Sequence, residues 1–272
     1  TLSVPGTGEV GPAFSTRPSA GRAGTRLRPP AATPSRSVPL VDRVDGGHVD
    51  GALEDALSDS TARVVRFSGT LSVGALSIGS NKTLEGVGAT ATLNGGIEID
   101  GASNVIVRNL RINAASSDAG GDGIVISDST RVWLDHLEIY DAPDGNLDIT
   151  SGSDYITVSW SKFRYTGSGD HRFSTLIGSV DDDTGSYRVT FHHNWWAERV
   201  LERMPRVRFG QVHIVNNYYS STGNDHCIRA AFRSNVRVER NFFETVSTPH
   251  EIDEDDGGPA ILEAIENHYV SS

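Results

Sequence analysis

A repeat constrains this chain more than any other feature. Six apolar runs recur along it: SNVIVRNLRI (103–112), TRVWLDHLEI (130–139), DYITVSWSKF (154–163), YRVTFHHNWW (187–196), GQVHIVNNYY (210–219) and NVRVERNFF (235–243). AILEAIENHYV (260–270) is a weaker seventh. Equivalent apolar positions are Val105, Val132, Ile156, Val189, Val212, Val236 and Leu262, spaced by 27, 24, 33, 23, 24 and 26 residues. A near-constant step in the twenties with a β-branched strand in each unit marks a solenoid. The fixed leucine spacing of a leucine-rich repeat is missing. Apolar and polar residues alternate within each run, as strands require. The long step of 33 points to an inserted loop around Thr166–Ser186.

Stacked coils would place equivalent residues above one another at the strand spacing of about 4.8 Å. Asn194, Asn217 and Asn241 share one repeat position. Asparagines stacked at a turn can hydrogen-bond as a ladder and satisfy backbone groups that a tight bend leaves unpaired. The aromatic pairs Trp195–Trp196, Tyr218–Tyr219 and Phe242–Phe243 also recur at one position. They read as a stacked row rather than a sugar platform. A parallel β-helix accounts for this better than a sandwich, whose strands alternate in direction. One helix, near Gly47–Ser58 with its acidic residues early, is expected to cap the first coil and block edge-to-edge aggregation.

Composition agrees. The 272 residues include 29 Gly and 11 Pro with 37 % apolar residues, which suits a turn-rich all-β chain. Residues 1–40 stand apart: Arg17–Pro39 is Pro, Ala, Ser, Thr, Gly and Arg with almost no large apolar side chains. It reads as a disordered basic leader or linker ahead of a β-helix domain over 41–272. The net charge of −11 gives no basic face for nucleic acid. No apolar run reaches the ~18 residues that cross a membrane. Neither nucleic acid nor membrane is an expected partner. Cys227 is the only cysteine, which excludes an intramolecular disulfide and a cysteine-built zinc site; it reads as a small buried residue.

Three segments rise above the repeat background. GGDGIVI holds Asp122; DAPDGNLDIT holds Asp141, Asp144 and Asp148; RMPRVRFG holds Arg203, Arg206 and Arg208. Positions an even number apart on a strand share a face, so Asp144 and Asp148 can converge, with Asp122 one coil earlier beside them. Three converging carboxylates repel unless a cation neutralises them. An all-oxygen set suits Ca²⁺. Spacing alone favours the plainer account, turn aspartates on a solvated edge. Arg206 and Arg208 should share a strand face, either as a carboxylate clamp or as an external ion-pair strip with Glu198 and Glu202. Pro205 within a strand-like segment points to a special backbone there, such as a cis bond. His192 and His193 face opposite ways and make poor joint metal ligands. Asp181–Asp183 reads as a solvated loop.

Six ordered blocks carry a resemblance: VWLDH (132–136), DGNLDIT (144–150), SDYITVSWSKF (153–163), LIGS (176–179), RVTFHHNWW (188–196) and RMPRVRFGQVHIVNNYY (203–219). Together they resemble family 1 pectate lyases over roughly residues 60–245. The resemblance implies a right-handed parallel β-helix, Ca²⁺ dependence and β-elimination of α-1,4-linked polygalacturonate. It implies that Asp144, Asp148 and the upstream Asp122 hold Ca²⁺, that Arg203 is the catalytic base, and that Arg208 binds substrate carboxylate. It also implies activity at alkaline pH, and a secreted monomer, since the polymer is extracellular. One departure stands out. Where many members carry His-Asp-Lys with a substrate-binding lysine, this chain has His171-Arg172-Phe173. Phe173 takes the lysine's place, and Arg172 is the candidate to supply the charge. The rivals are a metal-free pectin lyase, a β-helical glycosidase with paired carboxylates, and a non-catalytic carbohydrate-binding solenoid.

Overall fold

The computed structural model describes residues 51–183 and 185–272; the expected leader or linker (1–40), residues 41–46 and the first part of the expected helix (47–50) lie outside them. Strands follow one another from Arg63–Phe67 to His268–Val270 and pair with the coils before and after in parallel. This is a parallel β-helix. The repeat register is the one expected: Val105 pairs with Val132, Val132 with Ile156, Ile156 with Val189, Val189 with Val212, Val212 with Val236 and Val236 with Leu262. From Val105 to Val236 the side chains of this row are buried. Burying an aliphatic side chain contributes about 1.5–3 kcal/mol relative to exposure. A one-residue slip would turn the whole row outward, so apolar alternation locks the register.

Each coil has three faces. That row belongs to the second. The third carries the aromatic pairs, where Trp196 stacks on Phe163 and Tyr219, and Tyr219 on Phe243, at ring separations of 5.3, 4.7 and 4.5 Å. These inner rings are fully buried. Trp195, Tyr218 and Phe242 form a parallel outer row. The corner between these faces is made by one residue per coil with positive φ, including His136, Trp160, His193, Asn216 and Arg240. Immediately after it comes the ladder. The Asn194 backbone N–H and its Nδ2 both donate to Asn217 Oδ1, at 2.8 and 3.1 Å. Asn217 repeats this on Asn241 (2.9 and 3.0 Å), and Asn241 on Asn267 (both 3.0 Å). Ser161 extends the row below, its N–H donating to Asn194 Oδ1 at 3.0 Å.

The first face holds Ile124–Ser127, Gly145–Thr150, Phe173–Ile177 and the starts of Arg206–Val215 and Ile228–Glu239. Its inward row runs Ile124, Leu147, Thr175 and Ile126, Ile149, Ile177, Val207, Ala230 through successive coils. The inserted loop is therefore not one loop. The strand Phe173–Ile177 lies inside the expected span and completes this face. The extra residues divide between 165–172 on one side and 178–187 on the other. At the N-terminal end the helix Gly51–Ser58 buries Leu53 and Leu57 against the first coil. The ammonium of buried Lys82 then ties down the turn after it, donating to the Asp59 and Thr61 carbonyls at 2.6 Å each.

Candidate active site

Asp122, Asp144 and Asp148 come together on the first face. Val125 pairs with Asp148, which sets the Asp122 turn beside the start of the strand Gly145–Thr150. The Asp144 N–H donates to the Gly121 carbonyl at 3.0 Å, and the Gly123 N–H to the Gly145 carbonyl at 2.9 Å. Gly145 is the floor between the acids. A Cβ there would stand 2.9 Å from Asp122 Oδ1 and 3.1 Å from Asp148 Oδ1, so any side chain would fill the space the carboxylates share. The DG pair first read as turn chemistry is also a matter of room.

The electrostatics follow from this geometry. Asp122 is buried and its Oδ1 has no hydrogen-bond partner. Desolvation, then the charges of Asp148 and Asp144, push its pKa from an ordinary 3.8 to about 8. Burial followed by Asp144 raises Asp148 to about 6. Arg203 opposes both shifts, and it is near by geometry: its guanidinium covers the ring of Phe173, which pairs with Gly145 between the acids. A buried, unpartnered carboxylate oxygen among like charges is costly. The donor set is all oxygen and its deficit is positive charge, so these residues fit Ca²⁺. Asp144 is the exposed member and meets His171 Nε2 at 2.8 Å. Asp141 turns elsewhere and accepts from the Thr166 N–H at 2.6 Å.

The three arginines divide. Arg203, at positive φ, precedes the cis peptide Met204–Pro205, the special backbone that the proline suggested. Its guanidinium lies 4.3 Å above the Phe173 ring, its buried Nε has no partner, and it has no ion pair among the described residues. Phe173 in turn packs on His171 at 4.0 Å. Arg206 and Arg208 are committed. Arg206 pairs with Asp253 at 3.4 Å and Asp256 at 3.1 Å. Arg208 pairs with Asp256 through Nε at 2.9 Å, donates from Nη1 to the Ser179 carbonyl at 2.7 Å, and pairs with Asp181. Burial works against the Asp256 charge, but hydrogen bonds from Arg208 and the charge of Arg206 overcome it and hold its pKa low. The ion-pair partners of Arg206 and Arg208 are thus Asp181, Asp253 and Asp256 rather than Glu198 and Glu202. Glu198 pairs with Lys162 instead, at 3.0 Å. Arg172, whose backbone carbonyl accepts from the Leu201 N–H at 2.9 Å, has no ion pair among the described residues, and its Nε is unpartnered.

Residues outside this constellation behave more plainly. His193 stacks on Trp160 at 4.4 Å, but the two histidines do not face opposite ways: the positive φ of His193 turns the chain, and their Nδ1 atoms meet at 3.0 Å with the rings edge to face. Burial pushes the Cys227 thiol well above its usual range. Glu202, Asp225 and buried His226 bring ligand atoms within 4.8 Å of one another, but an imidazole makes that group a poorer match to Ca²⁺ than three aspartates. The Asp181–Asp183 run is not simply solvated, since Asp183 accepts from the Tyr187 hydroxyl and Asp181 meets Arg208.

A family-wide sequence profile described as pectate lyase matches residues 48–258. The chain belongs to the pectate lyase family. Among curated relatives it is 37 % identical over 210 residues to pectate lyase E of Dickeya chrysanthemi, covering 60 % of this chain and 53 % of that one. It is 38 % identical over 179 residues to the pectate trisaccharide-lyase of Bacillus licheniformis, covering 62 % and 50 %. The chain thus matches about half the length of these pectate lyases. Solved structures share the fold. A Bacillus sp. N165 pectate lyase in complex with trigalacturonate superposes with a TM-score of 0.70 at 24 % identity, covering 81 % of this chain and 80 % of that one. The major allergen from cedar pollen gives 0.73 at 22 %, covering 86 % and 77 %.

Proposed function

We propose that this protein is a Ca²⁺-dependent pectate lyase that cleaves α-1,4-linked polygalacturonate by β-elimination, leaving 4,5-unsaturated oligogalacturonides. One observation carries the reading: an under-neutralised carboxylate cluster stands beside an arginine that has no acidic partner among the described residues. Asp122, Asp144 and Asp148 would hold Ca²⁺ over the Gly145 floor. When bound, the cation supplies Lewis-acid withdrawal of charge from the C6 carboxylate of the sugar.

Arg203 then takes the C5 proton, which lies α to that carboxylate. Arginine is ordinarily a poor base, and the guanidinium is held in place over the Phe173 ring at 4.3 Å. Among the described residues Arg203 is the one guanidinium of the RMPRVR segment not held by a carboxylate, which leaves it available to the substrate. The C4 oxygen leaves with a proton from water. His171, at 2.8 Å from Asp144, orients that exposed acid.

Secretion is part of this proposal because the proposed substrate is an extracellular polymer; among the described residues no helix is long and apolar enough to cross a membrane. The test is the appearance of UV-absorbing unsaturated product from polygalacturonate, with and without chelator. Product that forms equally well in chelator removes the Ca²⁺ assignment; no product in either condition removes the lyase reading.

A further inference from the structure

The acidic turn after the strand His250–Ile252 is built against the arginine strip. The short 3-10 turn Glu254–Asp256 begins after Asp253, whose carboxylate accepts from the Asp255 N–H at 3.3 Å, and ends at Gly257 in the left-handed region. Any side chain at Gly258 would run into the Phe232 carbonyl, so the turn sits close against the coil beneath it. Arg208 lies 5.3 Å over the ring of that same Phe232. The result is a counted balance. Arg206, Arg208 and Arg229 are met by Asp181, Glu251, Asp253 and Asp256: three positive charges against four negative. Arg208 is nearly enclosed, with 11 % of its side chain exposed. Its Nε, Nη1 and Nη2 all have protein acceptors.

A polyuronide brings one carboxylate per sugar. A guanidinium already forked onto a carboxylate has little left to offer a second. Phe173, on the same face, is itself uncharged, and the guanidinium over its ring is that of Arg203, which the elimination uses. We propose that Asp256, assisted by Asp181, determines charge specificity. Its carboxylate takes the place on Arg208 that a substrate carboxylate would claim. This leaves a subsite with no unpaired positive charge, which accepts a methyl-esterified galacturonate as readily as a free one. The inference rests on the pectate lyase reading for its substrate class, and Asp256 acts through Arg206 and Arg208 rather than on the reacting atoms.

The test compares wild type, Asp256→Asn, Asp256→Glu and Asp181→Asn. Binding to polygalacturonate and to highly methylated pectin is read by affinity electrophoresis in chelator, so that the cation does not enter the comparison, and initial rates on polygalacturonate are read at fixed Ca²⁺. Wild type should bind the two polymers within about threefold of each other. Asp256→Asn frees a charge-assisted pairing and should tighten polygalacturonate binding by about fivefold or more. KM should fall with kcat held within about twofold, and methylated pectin should be unaffected. Asp256→Glu should behave as wild type. Asp181 is 75 % exposed, so Asp181→Asn cannot upset the core and should shift binding in the same direction by less. The inference is overturned if wild type already prefers polygalacturonate by tenfold or more, if neither polymer binds, or if both asparagine variants leave the binding ratio unchanged. Absence of unsaturated product would count against the lyase reading alone, because the binding ratio still decides this one.

Discussion

The asparagine ladder and the aspartate cluster are both polar side chains brought together by the same coiling, and they end in opposite states. Each ladder amide donates along the stack and back to the coil, as Asn217 does to Asn241 at 3.0 Å and to the Phe191 carbonyl at 3.0 Å. A neutral amide carries both donor and acceptor, so repetition satisfies it. A carboxylate carries acceptors only, so repetition accumulates charge. That is why Asp122 keeps a buried oxygen without a partner while the ladder residues are nearly all satisfied. Stacking stabilises where the repeated group is complementary to itself, and it leaves a demand for a ligand where the group is not.

The largest expected effect lies beside the cluster. Arg203→Ala should lower kcat by about 10³-fold, within the range that a lost general base costs, while polymer binding survives. Near-normal turnover would show that proton transfer belongs elsewhere. Asp148→Ala should weaken Ca²⁺ by more than the ~10–100-fold that outer-shell partners cost, with activity lost at low Ca²⁺ and the fold intact. In chelator, Asp122→Asn should melt no lower than wild type, because it replaces a repelled carboxylate with an isosteric amide. A melting temperature several degrees lower would break the contrast with the ladder.

The ladder should answer in stability instead. Asn217→Ala removes the acceptor shared by the Asn194 N–H and Nδ2 and strands buried groups on both sides. A loss of about 2–4 kcal/mol follows from unsatisfied buried donors, measured by denaturant unfolding, with kcat per folded molecule unchanged. The smallest effect is a pH dependence. Asp122 and Asp148 have folded pKa values of about 8 and about 6, above the ordinary 3.8. In the metal-free protein, stability from these groups is therefore full below about pH 4 and is lost as pH climbs through 6 and 8. Cation binding competes with the same protons. The rise in melting temperature on adding Ca²⁺ should be a few degrees larger at pH 8.5 than at pH 5.5, and an equal rise at both would detach Ca²⁺ from these acids.

The second face and its register were legible because β-branched positions repeat without interruption from Val105 to Val236, with Leu262 apolar after them. The aromatic stack and the ladder were legible for the same reason, although Asn267 escaped because its coil has weaker apolar flanks. The first face was harder to read. Its strands are short, as in Phe173–Ile177, and begin after glycines or polar turns, so a strand hid inside what looked like one loop. In the site, Asp122, Asp144, Asp148 and Arg203 stood out through local motifs. Asp256 did not, because its partner Arg208 is 48 residues away and no local pattern marks an acid that folds back two coils later. His171 was passed over for its neighbour Phe173, yet both face the site, one through Asp144 and the other through Arg203.

The divided insertion around Phe173–Ile177 has a consequence for how such a molecule can change. Both lengthened segments leave and re-enter at corners, while the strand between them stays in register with Gly145 and Leu147 below and with Arg206 and Val207 above. Lengthening therefore costs the stack nothing at its rungs. The segments beside the site can be lengthened, shortened or recharged by ordinary insertions and deletions without shifting the strands that carry Gly145 and Asp148. Geometry and selectivity in this protein are written into different parts of each coil, and each can be edited without rewriting the other.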